Sequence, residues 1–286
     1  MEETLKIAIQ TKGRLNEGTM KLIDEGGIRL TYGSRKLVST ASNFPLEVLF
    51  LRDDDIPQTV AAGVADIGIV GENEVLEKNE PVEIGKRLGF SKCRLSLAIP
   101  KSVDYNGLSY FEGKIIATSY PGILKKFLSS HQVNSEIHVI AGSVEIAPGI
   151  GLADAIFDIV SSGSTLISNG LKEVETVLTS EAVLIKHPGL SPRKQAILDE
   201  LIFRFESVQR AENKKYILLN APNDKIELIS SILPGMKSPT VMPLATPGWS
   251  SVHSVIEEND FWEIIGKLKK AGAEGILIVP IEKMIF

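Results

Sequence analysis

Short apolar runs that alternate with helix-like segments constrain the fold of this chain more than any other feature. Each run spans four to eight residues, and the intervening segments carry helix caps, a proline tolerated in a first turn, or a glycine that ends a helix. The strand-like runs cover residues 5–10, 44–51, 66–70, 95–99, 115–119 and 137–140. This alternation predicts an α/β fold with a largely parallel sheet.

A faint internal repeat indicates how the strands are divided. Gly63–Asp66 reads Gly-Val-Ala-Asp and Gly151–Asp154 reads Gly-Leu-Ala-Asp, and each precedes an apolar strand and a turn. Chance, together with the general need for glycine at a helix end, is one explanation. The other is a pair of similar α/β lobes that face each other across a cleft, with a ligand at the carboxyl ends of the strands.

The remainder of the chain has a different pattern. A helix is predicted from a cap at Ser191 to Val208, and the polar run 209–215 is a candidate linker. The segments that follow predict the βαββαβ order of a ferredoxin-like domain. They are a strand at 216–220, a helix at 224–233, strands at 240–245 and 251–256, a helix at 259–272 and a strand at 275–280.

Charge and cysteine content exclude several classes of function. Lys and Arg number 31 against 36 Asp and Glu, a net charge of −5, which disfavours nucleic acid as a partner but leaves a small anionic ligand open. The lone Cys93 forms no internal disulfide and is expected to be a small buried hydrophobe. The sequence has neither a secretory signal pattern nor an apolar window of about 18 residues, so we expect a cytoplasmic protein with no membrane partner.

The turn 161–165, Ser-Ser-Gly-Ser-Thr, is the best candidate for ligand chemistry. It follows an apolar strand that contains Asp158 and precedes an expected helix at 166–178. Such a turn offers backbone N–H groups and hydroxyls to a phosphate, although an ordinary Ser/Thr helix cap explains the turn equally well. Asp154 and Asp158 favour the phosphate site, because their carboxylates can bind ribose hydroxyls or Mg²⁺. Together these groups predict a site for a ribose 5-phosphate.

The same segment resembles the phosphoribosyl-diphosphate signature of the ATP phosphoribosyltransferases, which open histidine biosynthesis. Nine positions over 22 residues match, with Ser162 standing where many members carry Thr. They are Glu145, Gly151, Ala153, Ile156, Asp158, Ser162, Gly163, Thr165 and Leu166. The likeness extends along the whole chain, and includes residues 12–15, 52–57, 68–73, 93–98, 117–121, 169–171 and 280–284.

The resemblance to the long form of this family implies a fold and an activity. The expected fold is two lobes of periplasmic-binding-protein type plus a regulatory ferredoxin-like domain, with lobe I at 1–92 and 180–211, lobe II at 93–179 and the histidine-binding domain at 212–286. The expected reaction transfers phosphoribosyl from 5-phosphoribosyl 1-diphosphate to N1 of ATP with Mg²⁺. L-Histidine is the expected inhibitor, and a homo-oligomer, dimer or hexamer, without a separate regulatory subunit is the expected assembly.

Site residues follow from the same resemblance. The catalytic cations are Lys12, Arg35 and Arg52. The phosphoribosyl-diphosphate site comprises Glu145, Asp154, Ala155, Asp158, Ser161, Ser162, Gly163, Ser164 and Thr165, with Asp154 and Asp158 as possible metal ligands. The ATP site comprises Arg14, Leu15, Gly71, Glu72, Asn73, Thr118, Ser119 and Tyr120. The histidine site comprises Asn220, Met236, Thr240, Val255 and Gly275.

Two other functional classes share parts of this pattern. A bilobal solute-binding protein would have the repeat and the cleft but would usually carry an export signal. A non-catalytic regulatory subunit would have the βαββαβ domain but would lack the phosphate turn and its acids. His131, His138, His187 and His253 show no metal-ligand spacing and are interpreted as surface or structural residues.

Overall fold

The computed structural model describes residues 3–32, 37–233, 235 and 238–285. Its strands are β1 (Leu5–Gln10), β2 (Leu30–Tyr32), β3 (Val38–Ala41), β4 (Leu46–Leu51), β5 (Ile67–Gly71), β6 (Glu83–Arg87), β7 (Cys93–Pro100), β8 (Ile115–Thr118), β9 (Glu136–Val139), β10 (Ala155–Val160), β11 (Leu171–Ser180), β12 (Ala182–Lys186), β13 (Lys214–Pro222), β14 (Thr240–Pro243), β15 (Trp249–Glu257) and β16 (Glu274–Pro280). Its α-helices are α1 (Arg14–Glu25), α2 (Ile56–Ala61), α3 (Glu72–Lys78), α4 (Pro121–Ser130), α5 (Ser164–Ser168), α6 (Pro192–Ala211), α7 (Ile226–Ile232) and α8 (Phe261–Lys270).

The strands form three sheets, and the predicted α/β class is confirmed. The prediction of a largely parallel sheet is wrong, because only four of the ten strand pairs described in the first two sheets are parallel. Contacts divide the chain into two compact units, Met1–Asp24 with Ile28–Asp199 and Glu25–Gly27 with Glu200–Phe286. The first two sheets lie in the first unit and the third sheet in the second. In the described part of the chain, no helix is long and apolar enough to cross a lipid bilayer.

The first sheet has the strand order β2-β3-β4-β1-β5-β12-β6. Its centre is apolar on both faces, since β1 and β5 are almost entirely buried, as expected for parallel strands covered by helices. β1 pairs in parallel with β4 and with β5, so the carboxyl ends of these three strands share one edge. The loops that leave this edge are 11–13, 52–55 and the start of α3.

The second sheet has the order β11-β7-β10-β8-β9. β8 pairs in parallel with β9 and β10, whereas β7 is antiparallel to β10 and β11. Phe111 and Phe157 are fully buried in the core on one face. The helix predicted at 166–178 is wrong: α5 ends at Ser168, Gly170 has φ +70°, and β11 follows with two irregularities in its register.

The two segments that connect the first and second sheets are hydrogen-bonded to each other. One runs from β6 to β7 and the other from β11 to β12. Leu88 N–H donates to Ala182 O (2.8 Å), Ala182 N–H donates to Phe90 O (2.9 Å), and Cys93 pairs with Ser180. We call this pair, residues 88–93 and 180–182, the crossing ribbon.

The two copies of the internal repeat make the same hydrogen bonds in the structure. Asp66, before β5, accepts the Lys6 N–H at 2.8 Å, and its own N–H donates to Lys6 O at 2.9 Å. Asp154, before β10, makes the same pair of bonds with Ile115, at 3.0 and 2.9 Å. The preceding glycines both have positive φ, +70° at Gly63 and +75° at Gly151. Each Asp therefore fastens the start of its strand to a parallel neighbour.

The third sheet has the order β14-β15-β13-β16, with antiparallel pairs throughout. This is the strand order of a ferredoxin-like domain, so the βαββαβ prediction is confirmed. Helices α7 and α8 cover one face, with Ile229 and Leu268 buried in the core. The linker predicted at 209–215 is mostly regular structure, because α6 continues to Ala211 and β13 begins at Lys214.

Candidate functional site

A cavity of about 260 Å³ lies at the carboxyl end of β10. It is bounded by the end of β10 and the turn that follows it, by Glu145 from a short 3₁₀ helix, and by Arg14 from the start of α1. The lining residues are Arg14, Glu145, Asp158, Ile159, Val160, Ser161, Ser162, Gly163, Ser164, Thr165 and Leu166. The structure thus brings together eight of the residues that the sequence predicts for substrate binding.

The turn itself, which we call the phosphate loop (residues 161–165), is shaped by its glycine and its hydroxyls. Gly163 has φ +79° and precedes α5, a backbone conformation that L-residues with a side chain rarely adopt. The Ser162 and Ser164 hydroxyls lie 2.9 Å apart, and Ile167 N–H donates to Gly163 O at 3.1 Å. Ser162, Ser164 and Thr165 are exposed, so their hydroxyls are accessible to a ligand.

Arg14 brings a positive charge to the phosphate loop. It is the first residue of α1 and follows the turn after β1. Its Nη1 donates to Ser161 Oγ at 2.9 Å. Because a guanidinium has five N–H donors and Ser161 takes one, Arg14 retains donors for an anion in the cavity.

Asp158 gives the cavity its acidic group. Burial raises the pKa of its carboxyl from 3.8 to about 6, a hydrogen bond from Ile159 N–H opposes this increase, and the nearby Glu145 carboxylate adds to it. Glu145 lies on the short 3₁₀ helix Val144–Ile146. The site therefore places two carboxylates near hydroxyls and one guanidinium, a combination suited to a sugar phosphate.

Asp154 and Ala155 lie elsewhere, which corrects two of the predicted substrate contacts. Asp154 is at the opposite end of β10, where it fastens the strand to Ile115 and pairs with Lys114 Nζ at 3.6 Å. Ala155 is fully buried. The structure does not bring Asp154 beside Asp158 as a metal pair, because strand β10 separates them.

The cations predicted for catalysis lie on the edge of the first sheet. Lys12 is in the turn after β1, and Arg52 follows β4. Thr11 N–H donates to Leu51 O at 2.8 Å, so these two loops are adjacent. Both Lys12 and Arg52 are exposed, and the residues described include no ion pair for either. Arg35 lies outside the described residues.

Most residues predicted for ATP use their polar side chains internally. Asn73 is buried and donates from Nδ2 to Glu74 Oε1 (3.1 Å) and Tyr120 Oη (3.2 Å). Its Oδ1 accepts the Ser180 hydroxyl at 2.8 Å. Thr118 Oγ1 accepts the Tyr120 N–H at 2.8 Å. These side chains join the first and second sheets at the edge where the ligand is expected.

The other predicted ATP residues have different surroundings. Ser119 Oγ donates to Ile140 O at 2.5 Å, and Glu72 pairs with Arg87. Gly71 is the last residue of β5, and Leu15 lies in the first turn of α1. Only Arg14 of this set lines the cavity.

A buried carboxylate near Asn73 was not predicted. Glu74 is 7% exposed and accepts the Tyr120 hydroxyl at 2.8 Å. Burial raises the pKa of Glu74, and the Tyr120 hydrogen bond opposes this increase. Its neighbour Glu77 accepts the N–H groups of Gly122 and Ile123 at the start of α4 (2.8 and 2.9 Å).

The residues predicted for histidine binding lie on the third sheet, except Met236, which is outside the described residues. Asn220 pairs with Ser251 on β15 and Glu274 on β16. Gly275 has φ +57°, and a Cβ there would lie 3.1 Å from Asn220 Nδ2. Thr240 on β14 pairs with His253, two residues from Val255.

Arg94 and Glu173 contact the phosphate loop region, and no role was predicted for either. Arg94 Nε and Nη2 donate to the two oxygens of Glu173 at 2.5 Å each, and Nη1 donates to Ser161 O at 3.2 Å. The sequence signal at Arg94 was a charged residue in a strand whose other residues, apart from Ser96, are apolar. Glu173 was obscured because its segment was predicted to be helical.

Comparisons with known proteins cover the whole chain. The model of the family described as "ATP phosphoribosyltransferase" matches residues 52–207, and that described as "HisG, C-terminal domain" matches residues 211–283. An ATP phosphoribosyltransferase of Bacteroides fragilis is 67% identical over 281 residues, 98% of this chain and 99% of the relative. One of Cytophaga hutchinsonii is 60% identical over 285 residues, 100% of both chains.

One solved structure is similar over most of the chain. It is titled "ATP phosphoribosyl transferase (HisG:HisZ) complex from Thermotoga maritima". The identity is 29% and the TM-score 0.61, and the match covers 71% of this chain and 99% of that chain.

Proposed function

This chain belongs to the ATP phosphoribosyltransferase family, and from that premise we propose how its residues bind the substrates. The enzyme transfers the phosphoribosyl group of 5-phosphoribosyl 1-diphosphate to N1 of ATP and releases diphosphate, the first step of histidine biosynthesis. The phosphate loop holds the 5-phosphate of the phosphoribosyl group. The observation that carries this proposal is the cavity that Ser162, Ser164 and Thr165 line together with Arg14, whose guanidinium donates to Ser161.

Charge and geometry support this role. A phosphate monoester needs several donors and a compensating positive charge, and the phosphate loop supplies hydroxyls and backbone N–H groups while Arg14 supplies the charge. Asp158 then accepts hydrogen bonds from the ribose hydroxyls, since it is the last acidic residue before the loop and lines the same cavity.

The diphosphate would leave toward the edge of the first sheet. Lys12 and Arg52 lie on adjacent loops there and are exposed, so we assign them, with Arg35, to the departing diphosphate and the ATP phosphates. Displacement at the anomeric carbon with inversion needs no nucleophile from the protein. The protein then contributes positioning and charge stabilisation.

The described residues fit Mg²⁺ only as an ion that arrives with its substrate. No group of three or more His, Cys, Asp or Glu side chains is clustered for a metal in the described ranges. Mg²⁺ is commonly bound through one or two carboxylates plus substrate phosphates, and Asp158 and Glu145 supply such a pair. When bound, the ion would neutralise charge on the diphosphate.

Kinetics of two loop variants test the assignment. Thr165→Ala and Ser162→Ala each remove a hydroxyl from the loop, and we expect the KM for phosphoribosyl diphosphate to rise about 10-fold, the value of one hydrogen bond to a charged group. The KM for ATP should change little. Thr179→Ala, at an exposed threonine on β11, is the matched control. Unchanged constants in both loop variants would remove the phosphate assignment.

For ATP, we propose a site on the edge of the first sheet near Arg14, Leu15 and residues 71–73, where β5 ends and α3 begins. The side chains of Asn73, Thr118 and Tyr120 are used internally, so they would shape this site rather than donate to the nucleotide. Limited proteolysis of the full-length enzyme with and without AMP tests this site. AMP should slow cleavage at the loops 11–13 and 52–55, and equal cleavage in both samples would contradict the proposal.

We also propose that the third sheet binds L-histidine as a feedback inhibitor. The Asn220 amide, the neighbouring acid Glu274 and the close approach of the Gly275 backbone, where a Cβ would lie 3.1 Å from Asn220 Nδ2, support a site for an amino acid. Calorimetric titration of the full-length chain, with Asn220→Ala and the control Asn223→Ala, tests it. Binding that is equal in both variants would refute the assignment of Asn220.

Domain boundaries, assembly and location complete the proposal. We propose lobe I at 1–92 and 180–211, lobe II at 93–179 and the regulatory domain at 212–286, a division that follows the three sheets for the strands. Contacts group residues 200–211, the second half of α6, with the third sheet instead. We propose a homo-oligomer, dimer or hexamer, that requires no separate regulatory subunit, which sedimentation velocity of the purified chain would test. We propose a cytoplasmic location, because the substrates are metabolites of that compartment.

A further inference from the structure

Two arginines hold Ser161, the first residue of the phosphate loop, from two directions. Arg14 donates to its hydroxyl at 2.9 Å, and Arg94 donates to its carbonyl oxygen at 3.2 Å. Arg14 lines the cavity, whereas Arg94 does not. The two contacts therefore have different consequences for a ligand.

Arg94 is held in one orientation by Glu173. Both carboxylate oxygens of Glu173 accept from the guanidinium at 2.5 Å, the bidentate geometry that an arginine fork matches. Ser96, which is fully buried, donates its hydroxyl to Glu173 Oε1 at 2.7 Å, and Thr176 donates to the same oxygen at 3.2 Å. Hydrogen bonds from Arg94 lower the pKa of Glu173 to about 2, so Glu173 is ionised at neutral pH.

The position of Arg94 in the sheet places its third donor, Nη1, beside the first peptide of the phosphate loop. Arg94 on β7 pairs with Val160, the last residue of β10, and Ser161 follows directly. With Nε and Nη2 committed to Glu173, Nη1 is aimed at the Ser161 carbonyl. Because the peptide is planar and trans, fixing this carbonyl also fixes the Ser162 N–H on the opposite side.

We infer that Arg94 and Glu173 are positioning residues that set the first peptide of the phosphate loop for phosphoribosyl diphosphate. The charge of Arg94 is balanced by Glu173, so Arg94 contributes geometry rather than net charge to the site. Lysine would keep the charge, but its compact ammonium lacks the planar fork and cannot reach Glu173 and the Ser161 carbonyl with all three hydrogen bonds of Arg94. This inference rests on the proposed role of the loop.

Steady-state kinetics of Arg94→Lys, Glu173→Gln and the double variant test the inference. Each single variant should raise the KM for phosphoribosyl diphosphate about 10-fold, the value of one charge-assisted hydrogen bond, with the KM for ATP within about twofold of wild type. The double variant should match the single variants, because both changes release the same peptide. Arg210→Gln, which removes an arginine paired with Glu206 at 3.0 Å on α6, should leave both KM values unchanged.

Each other outcome overturns the inference. An unchanged KM for phosphoribosyl diphosphate in Arg94→Lys shows that charge suffices. A parallel rise of both KM values with a lower melting temperature shows a general structural role. If Arg94→Lys does not fold, Glu173→Gln, which keeps the side-chain shape, decides by the same KM ratio.

The Thr165→Ala variant separates failure of this inference from failure of the loop assignment. A raised KM in Thr165→Ala with a normal KM in Arg94→Lys and Glu173→Gln refutes only the positioning role. A normal KM in Thr165→Ala as well refutes both, because the loop would then not hold the phosphate.

Discussion

Asp158→Asn should stabilise the enzyme at pH 8 while it impairs catalysis. Burial is the main reason that the pKa of the Asp158 carboxyl rises from its ordinary value of 3.8 to about 6 in the folded protein. Between these pH values the folded protein keeps a proton that the unfolded chain releases, so the free energy of unfolding falls as pH rises. Above pH 6 both states are ionised and the full cost of burying the charge remains.

The expected gain can be estimated from this difference. About two pKa units at 1.36 kcal/mol each correspond to about 3 kcal/mol. Asp158 is partly exposed, so we reduce the gain by half for solvent screening, to about 1.5 kcal/mol. Asparagine keeps the shape of the side chain and the oxygen that accepts the Ile159 N–H. At pH 4.5 the gain should fall to about a third, since the folded wild-type protein then keeps most of its proton.

Urea unfolding at pH 4.5 and pH 8 measures this effect. Asp154→Asn is the matched control, at the other end of β10, and it should lower stability by up to about 1 kcal/mol because it weakens the Lys114 pair. A gain in Asp158→Asn that is equal at both pH values would contradict the burial argument. A lower free energy of unfolding for Asp158→Asn than for the wild type at pH 8 would also contradict it, because the effect would then have the opposite sign.

Three further substitutions have expected effects. Gly163→Ala should cost about 1–2 kcal/mol in unfolding free energy and raise the KM for phosphoribosyl diphosphate; a Cβ would have room, 3.9 Å from Val160 Cγ1, so the cost is the φ of +79°. Tyr120→Phe should cost about 1–3 kcal/mol in urea unfolding, because it removes the hydroxyl that donates to the buried Glu74. Glu77→Gln should cost about 1 kcal/mol by the same measurement, since its single remaining oxygen serves only one of two N–H groups on α4.

The sequence predicted most of the architecture because strand and helix signals were local. The boundaries of β1 and of the elements in the ferredoxin-like domain were predicted to within one or two residues. Short apolar runs and helix caps are recognised from neighbouring residues alone and need no tertiary information. The segment after α5 was wrong, because apolar residues at Leu171, Val174 and Leu178 fit helical spacing as well as a strand with bulges. Its place beside β7 depends on partners about 80 residues away in the chain.

The site shows the same division. The phosphate loop and Asp158 were predicted from adjacent residues. Asp154 was misplaced, because the sequence does not show that its carboxylate accepts the N–H of Ile115, 39 positions away, at the start of a neighbouring strand. Arg94 and Glu173 were missed, since their pairing bridges 79 positions and depends on β7 and β11 being neighbours.

The crossing ribbon has a mechanical consequence. Two hydrogen-bonded segments connect the first and second sheets. Because hydrogen bonds between the two segments resist sliding of one past the other, we expect the crossing ribbon to allow bending and twisting more readily than stretching. The start of α3 is fastened to this ribbon, because Glu72 N–H donates to Glu181 O (2.9 Å) and Ser180 donates its hydroxyl to Asn73 Oδ1 (2.8 Å). A ligand that displaces the start of α3 therefore displaces the crossing ribbon as well, because no more than one residue separates them along these hydrogen bonds.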